Sequence, residues 1–152
     1  MKPARIVLHC TVTPNGKKVN VEAMEKNHQE RGFKGIGYHF LIQPDGAIVE
    51  TRPVDQVGAH VKGHNTGSLG IALAGTDKFT PEQFTSLREL AFDLYLHHHL
   101  EKWAFYCHYQ FDTAQAQGKT CPNIEINRLL VWYLWKDDKA IEPYLLTEAE
   151  VQ

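Results

Sequence analysis

The sequence lacks the features that define several broad classes of protein. It has only three cysteines, an odd number that does not make a disulfide framework, so they are core thiols, reactive thiols or metal ligands. It has no run of about 18 consecutive apolar residues, which a membrane-spanning helix requires. The apolar run near the N-terminus is too short for a signal peptide. We therefore expect no membrane span, and synthesis in the cytoplasm without a signal peptide.

A basic excess and internal repeats are also missing. The formal net charge is -2, whereas nucleic-acid-binding domains normally carry clustered positive charge, so we expect no nucleic-acid partner. A length of 152 residues suits one domain. What the chain does have is histidine, nine in all, which makes metal binding worth testing.

Short apolar patterns predict the strands of one central sheet. A wholly apolar run over 69–74 is typical of a central strand covered on both faces. The turn 43–46, with Pro44 second and Gly46 fourth, predicts a hairpin between 38–42 and 47–51. Alternation of β-branched residues predicts a first strand over 6–11, and a further strand is predicted over 103–108.

Helical patterns alternate with these strands. The segment 21–31 predicts a helix that stops at Gly32, and a last helix is predicted over 124–135. Thr80, Pro81 and Gln83 form the start signal of a helix that runs to about residue 100. The order predicts a single α/β domain (1–152) with a central mixed β-sheet flanked by helices. Its core covers about 5–136, 58–68 is a long loop, and 137–152 is a peripheral tail.

Histidine and cysteine are adjacent on two of the predicted strands. Successive side chains of a strand point to opposite faces, so Cys10 and Cys107 can fill the core while His9 and His108 face the other way. Cys121 follows a polar loop, where a cysteine has no core to fill. Two histidines and a cysteine form a three-ligand zinc set that leaves a position for water. The alternative stays open, because a lone strand histidine is more often a hydrogen-bonded core residue.

Several blocks in order resemble the phage-type N-acetylmuramoyl-L-alanine amidases, relatives of the peptidoglycan recognition proteins, from about residue 5 to 135. The blocks are the first strand with His9, the hairpin with Tyr38 and Pro44-Asp45-Gly46, the stretch from Val57 through His60 and Asn65 to Ile71, and His108 with Lys119-Thr120-Cys121-Pro122. The order and spacing of the blocks carry the resemblance more than any one block.

The resemblance implies a fold, an activity and a set of roles. It implies an amidase-like α/β fold and a cell-wall hydrolase that cuts the bond between N-acetylmuramic acid and L-alanine in peptidoglycan after release from the cell. One Zn²⁺ would be held by His9, His108 and Cys121. Lys119 and Tyr38 would be catalytic, and His60 and Asn65 would contact the muropeptide. We expect a monomer.

The chain departs from the family pattern at two places, and other functions remain open. The gap between His108 and Cys121 is longer than usual, so Asp112 or the glutamine-rich stretch could reshape the groove. Asn27-His28 stands where relatives often carry Trp-His. The alternatives are a peptidoglycan-binding module without catalysis, a cytoplasmic amidase that recycles anhydromuropeptides, and a thiol enzyme that uses Cys121.

Overall fold

The computed structural model describes residues 1–150 and contains one five-stranded sheet. The strands are β1 (Arg5–Cys10), β2 (Phe40–Ile42), β3 (Ile48–Glu50), β4 (Ser68–Leu73) and β5 (Phe105–Cys107). They lie in the order β3-β2-β4-β1-β5. β2 and β3 form the expected antiparallel hairpin, whereas the β2–β4, β4–β1 and β1–β5 pairs are parallel. The prediction of a mixed sheet in an α/β domain is confirmed.

Four α-helices surround the sheet: α1 (Val21–Glu30), α2 (Pro81–His98), α3 (Asp112–Ala116) and α4 (Ile126–Trp135). The capping box predicted for α2 is present, because the Thr80 hydroxyl accepts from the Gln83 N–H and the Gln83 side chain accepts from the Thr80 N–H. Asn20 caps α1 in a similar way through the Ala23 N–H.

The two faces of the sheet have different contents. Alternate residues of β1, β2 and β4 enter a large apolar core that also contains the inner sides of α2 and α4. Ile6, Leu8 and Cys10 belong to that face. On the opposite face the apolar cluster is small, with Val19, Leu41, Ala72 and Ala74 as its buried members. The groove described below lies on this second face.

Two predicted strand ends, one predicted loop and the predicted tail are corrected. β2 begins at Phe40 and β5 ends at Cys107, so Tyr38 lies just before its strand and His108 begins a short 3-10 turn after its strand. The polar loop before Cys121 contains the short helix α3. The segment from 137 is not peripheral, because Ala140, Ile141 and Leu146 are buried and Phe79 bridges to Leu145. Residues 151–152 lie outside the described residues.

In residues 1–150, no helix has both the length and the apolar character needed to cross a membrane.

Candidate active site

A groove of about 600 Å³ opens on the face of the sheet opposite α2 and α4. His9 reaches it from β1, Tyr38 from the approach to β2, and His108 from the turn after β5. The loop between β3 and β4 and the segment after α3 complete its walls. The groove is lined by all seven of the predicted site residues: His9, Tyr38, His60, Asn65, His108, Lys119 and Cys121.

Hydrogen bonds fix the protonation pattern of two buried histidines in the groove. His60 Nε2 lies 3.1 Å from the Ser68 carbonyl oxygen, which can only accept, so this nitrogen carries the proton. Burial lowers the pKa of His60 to about 3, so its Nδ1 is bare at neutral pH. That Nδ1 is 2.8 Å from His9 Nε2, which must therefore donate. Burial also holds the pKa of His9 well below its usual value, so His9 Nδ1 is unprotonated and has a free lone pair.

His108 stands beside His9 and beside a cation. The ring centroids of His9 and His108 are 4.4 Å apart. Burial, with the nearby Lys119 ammonium as a smaller cause, lowers the pKa of His108 to about 4. His108 is therefore neutral at pH 7, the state in which an imidazole can ligate a metal.

Cys121 has an unexpected neighbour. Its sulfur lies 2.8 Å from the sulfur of Cys10, a residue 111 positions away in the chain. The bond from the Cys10 thiol, with the Cys10 backbone and the Lys119 ammonium as smaller causes, lowers the pKa of Cys121 below its usual value. Cys10 and Cys107 are buried as predicted, but no local pattern indicated that Cys10 also contacts the candidate ligand.

Tyr38 is held as a neutral phenol. Its ring centroid is 5.1 Å from that of His9, and its carbonyl accepts from the Thr51 hydroxyl. Burial raises the pKa of the Tyr38 phenol above its usual value. The residue therefore offers the groove a hydrogen-bond donor at neutral pH. His39, its neighbour, is fully buried with both ring nitrogens bonded, to the Gln56 carbonyl and the Gly70 N–H.

The two residues predicted to contact substrate are engaged within the protein. His60 is 8% exposed and both of its ring nitrogens are bonded. Asn65 Oδ1 accepts from the backbone N–H groups of His60 and Val61, at 2.8 Å each. Both residues line the groove, and their contact with substrate stays a prediction.

Sequence reasoning missed the charge of the groove. Arg31 and Lys62 line it together with Lys119, and within residues 1–150 no Asp or Glu side chain does. His28, Thr11 and Gln117 also line it. No local pattern identifies these residues, because they come together only through the packing of α1, the loop before β4 and the segment after α3. A groove of this charge suits a substrate that carries carboxylates.

The chemistry of the donor set fits a zinc ion. His9 offers a bare Nδ1, His108 is neutral, and the Cys121 pKa lies below its usual value, which favours the thiolate. As arranged, however, no three His, Cys, Asp or Glu side chains of residues 1–150 form a group that could hold a metal ion.

Comparisons with known proteins agree on one family. The sequence profile of a family described as N-acetylmuramoyl-L-alanine amidase matches residues 1–124. The endolysin of Escherichia phage T7 is 34% identical over 131 residues, which are 81% of this chain and 82% of that protein. The endolysin of Klebsiella phage KP32 is 37% identical over 99 residues, 60% of this chain and 66% of that protein.

A solved structure has the same fold. The N-acetylmuramoyl-L-alanine amidase LysC from Clostridium intestinale URNW superposes with a TM-score of 0.75 at 32% identity. The match covers 88% of this chain and 85% of that one. The resemblance predicted from the sequence blocks is confirmed.

Proposed function

This chain belongs to the N-acetylmuramoyl-L-alanine amidase family, and we propose that it acts with a zinc ion held by His9, His108 and Cys121. The chain is an amidase that hydrolyses an amide bond of peptidoglycan. The bond we propose is the one between N-acetylmuramic acid and L-alanine. One observation carries the zinc proposal: two neutral imidazoles 4.4 Å apart and a cysteine of lowered pKa line one groove.

The metal would supply what the side chains lack. Bound zinc polarises a carbonyl and lowers the pKa of a water molecule to about 7. The protein's own contribution is to hold the ligands in the right protonation state. Burial keeps His9 and His108 neutral, so neither must lose a proton before it can ligate. Cys121 would exchange its contact with Cys10 for the metal.

Lys119 and Tyr38 have the charge and protonation that amide hydrolysis needs. The exposed Lys119 ammonium borders the groove near His108 and Cys121, where it can stabilise the negative charge that develops on the substrate carbonyl oxygen. Tyr38 keeps its proton and can orient a water molecule or pass a proton to the leaving nitrogen.

Metal content measured beside product analysis tests the proposal. We expect about one zinc per purified chain and release of muropeptides cut at the muramyl amide, identified by mass spectrometry. His108→Ala and Cys121→Ala should lose both zinc and activity, because each removes one of three proposed ligands. Cys107→Ser is the matched control: its sulfur is fully buried and contacts the Ile124 carbonyl, so zinc should stay.

The same measurements separate the rival functions. A binding module without catalysis would hold muropeptides and release no product. A thiol enzyme would keep its activity after a chelator removes the metal. Full zinc content and activity in Cys121→Ser would remove Cys121 from the ligand set and would contradict the proposal.

The likeness to phage endolysins supports a role outside the cell that makes the protein. We propose that the chain acts on the cell wall after release. We propose that it acts as a monomer.

A further inference from the structure

His60 is a closely packed, hydrogen-bonded side chain at the groove that the zinc proposal does not use. Glycines make room for its ring on two sides: a Cβ on Gly58 would lie 2.6 Å from His60 Cδ2, and one on Gly70 would lie 2.9 Å from His60 Nδ1. Asn65 fixes its backbone through the bond from the His60 N–H. The surroundings are therefore built to hold this imidazole in one place.

The ring occupies that place in one orientation only. Its Nε2–H donates to the Ser68 carbonyl and its Nδ1 faces His9 Nε2. The His9 and His60 rings meet edge to face, with centroids 4.9 Å apart. The Ser68 carbonyl can only accept, so the ring proton of His60 lies on Nε2, and its Nδ1 is the acceptor for His9 Nε2–H.

We propose that His60 is a positioning residue: it accepts the Nε2 proton of His9 and so keeps His9 Nδ1 bare for the metal. The inference rests on the proposed function for the identity of the metal. A ligating histidine generally gives its second ring proton to an acceptor, which fixes its tautomer and orientation. His60 takes this part here, because its Nδ1 lies 2.8 Å from His9 Nε2.

Imidazole NMR of the metal-free protein tests this without activity. In the native chain His9 should be the Nε2–H tautomer. In His60→Ala the His9 tautomers should mix, and the zinc Kd should rise about 10–100-fold. His60→Gln should restore much of both, because its amide oxygen can accept from His9 and its NH₂ can donate to Ser68. His64→Ala, in the same loop but bonded to Asp112, is the control and should leave His9 unchanged.

Each outcome decides something. A native His9 with its proton on Nδ1, or a His9 that keeps the single Nε2–H tautomer in His60→Ala, overturns the positioning role. If His60→Ala does not fold, a native proton on Nδ1, or mixed His9 tautomers in His60→Gln, overturns it. If the native protein shows the expected tautomer but binds no zinc, the positioning role stands and the zinc proposal fails.

A separate observation concerns Cys10 and Cys121. Their sulfur atoms are 2.8 Å apart, and Cys121 is partly exposed whereas Cys10 is 1% exposed. A disulfide needs about 2.05 Å between sulfurs, so the two sulfur atoms have to approach each other by less than about 1 Å. We infer that this pair is an oxidation site at which peroxide converts the candidate ligand into a disulfide.

The chemistry takes two steps when hydrogen peroxide is the oxidant. The Cys121 thiolate attacks one peroxide oxygen, so that an S–O bond forms, the O–O bond breaks and hydroxide leaves. The Cys10 thiol then attacks the Cys121 sulfur, so that the S–S bond forms, the S–O bond breaks and water leaves with the Cys10 proton. Sulfur is oxidised by two electrons overall and the peroxide is reduced. Cys121 can no longer ligate a metal.

Mass spectrometry and thiol counting test the pair on the metal-free chain. Peroxide should remove two hydrogen atoms from the mass and join the peptides that contain Cys10 and Cys121, and a thiol reductant should reverse both changes. Cys10→Ser should instead accumulate oxygen adducts on Cys121, and Cys107→Ser should behave as the native chain. A disulfide that includes Cys107 would overturn the inference. So would a native chain in which Cys121 gains oxygen and forms no disulfide.

Discussion

Leu8 and His9 are neighbours on β1 and are almost equally buried, at 0% and 2% exposure. Their side chains nevertheless lie on opposite faces of the sheet and contact different kinds of neighbours. Leu8 joins the large apolar core under α2 and α4, where only its volume matters. His9 faces the groove, where His60, Tyr38 and His108 surround it. Burial alone therefore does not distinguish a residue of the apolar core from one that lines the groove. The partners do.

The largest expected effect is a loss of stability on the face of the sheet that α2 and α4 cover. Leu8→Ala should lower the free energy of unfolding by about 2–5 kcal/mol, because it removes buried methyl groups and leaves a cavity. Turnover per folded molecule should stay near the native value, since Leu8 points away from the groove. Denaturant unfolding and kcat on soluble muropeptides measure the two. A loss of kcat in fully folded protein would show that the two faces are coupled.

The next effect tests the groove face. Lys119→Ala should reduce kcat on the order of 10²–10³-fold with little change in KM, because a donor to a developing oxyanion acts only in the transition state. Stability should hardly change, because Lys119 is exposed. Zinc content should be normal. If KM rises and kcat is preserved, Lys119 is an anchor for a substrate carboxylate and the oxyanion role is wrong.

A smaller effect concerns a buried histidine outside the proposed ligand set. Burial lowers the pKa of His39, with Arg52 adding to the shift and the Gln56 bond and Glu50 opposing it. Because the unfolded chain takes up this proton first, His39 contributes stability that is complete above about pH 6.5 and is lost as the pH falls. Metal-free His39→Gln should lose part of the native slope of unfolding free energy between pH 7 and 5. The difference should be at most about 1.4 kcal/mol per pH unit.

The other buried histidines do not obscure this comparison. His9 and His108 also have lowered pKa values and are present in both proteins, so their share of the slope should cancel. His39 adds to the lowering of the His60 pKa, and that part of the slope is counted with the effect of His39. If the unfolding free energy of His39→Gln and of the native chain depends equally on pH, His39 does not contribute to that pH dependence.

The smallest effect concerns the two walls of the groove. The Thr113 hydroxyl in α3 donates to the Lys62 carbonyl at 2.6 Å, and Asp112 pairs with His64 at 2.7 Å. Thr113→Val should cost about 1 kcal/mol or less and should appear as faster amide exchange over residues 58–68. Thr147→Val, which removes a hydroxyl bond near the C-terminus, should leave that loop unchanged. Unchanged exchange in Thr113→Val would mean that α3 does not restrain the loop.

Sequence patterns predict the elements of the fold better than the contacts between the side chains of the site. Alternation on β1 separates Cys10 from His9, and the Thr80 capping box gives the start of α2, because both depend on residues close in sequence. The contact between Cys10 and Cys121 depends on chain closure across 111 positions, which no local pattern encodes. The contact between His60 and His9 and the contacts of α3 were not predicted for the same reason, since their partners lie in other segments.

The charge of the groove has a kinetic consequence. The chain has a formal net charge of -2, yet Arg31, Lys62 and Lys119 line the groove and no acid of residues 1–150 does. A cleft lined by one sign of charge raises the local concentration of oppositely charged ligands and speeds their encounter. Salt screens such fields over about 10 Å at 0.1 M ionic strength. Added salt should therefore slow the binding of carboxylate-bearing fragments without changing the rate at which bound fragments are cut. The ionic strength around the cell wall then helps to determine how fast the wall is hydrolysed.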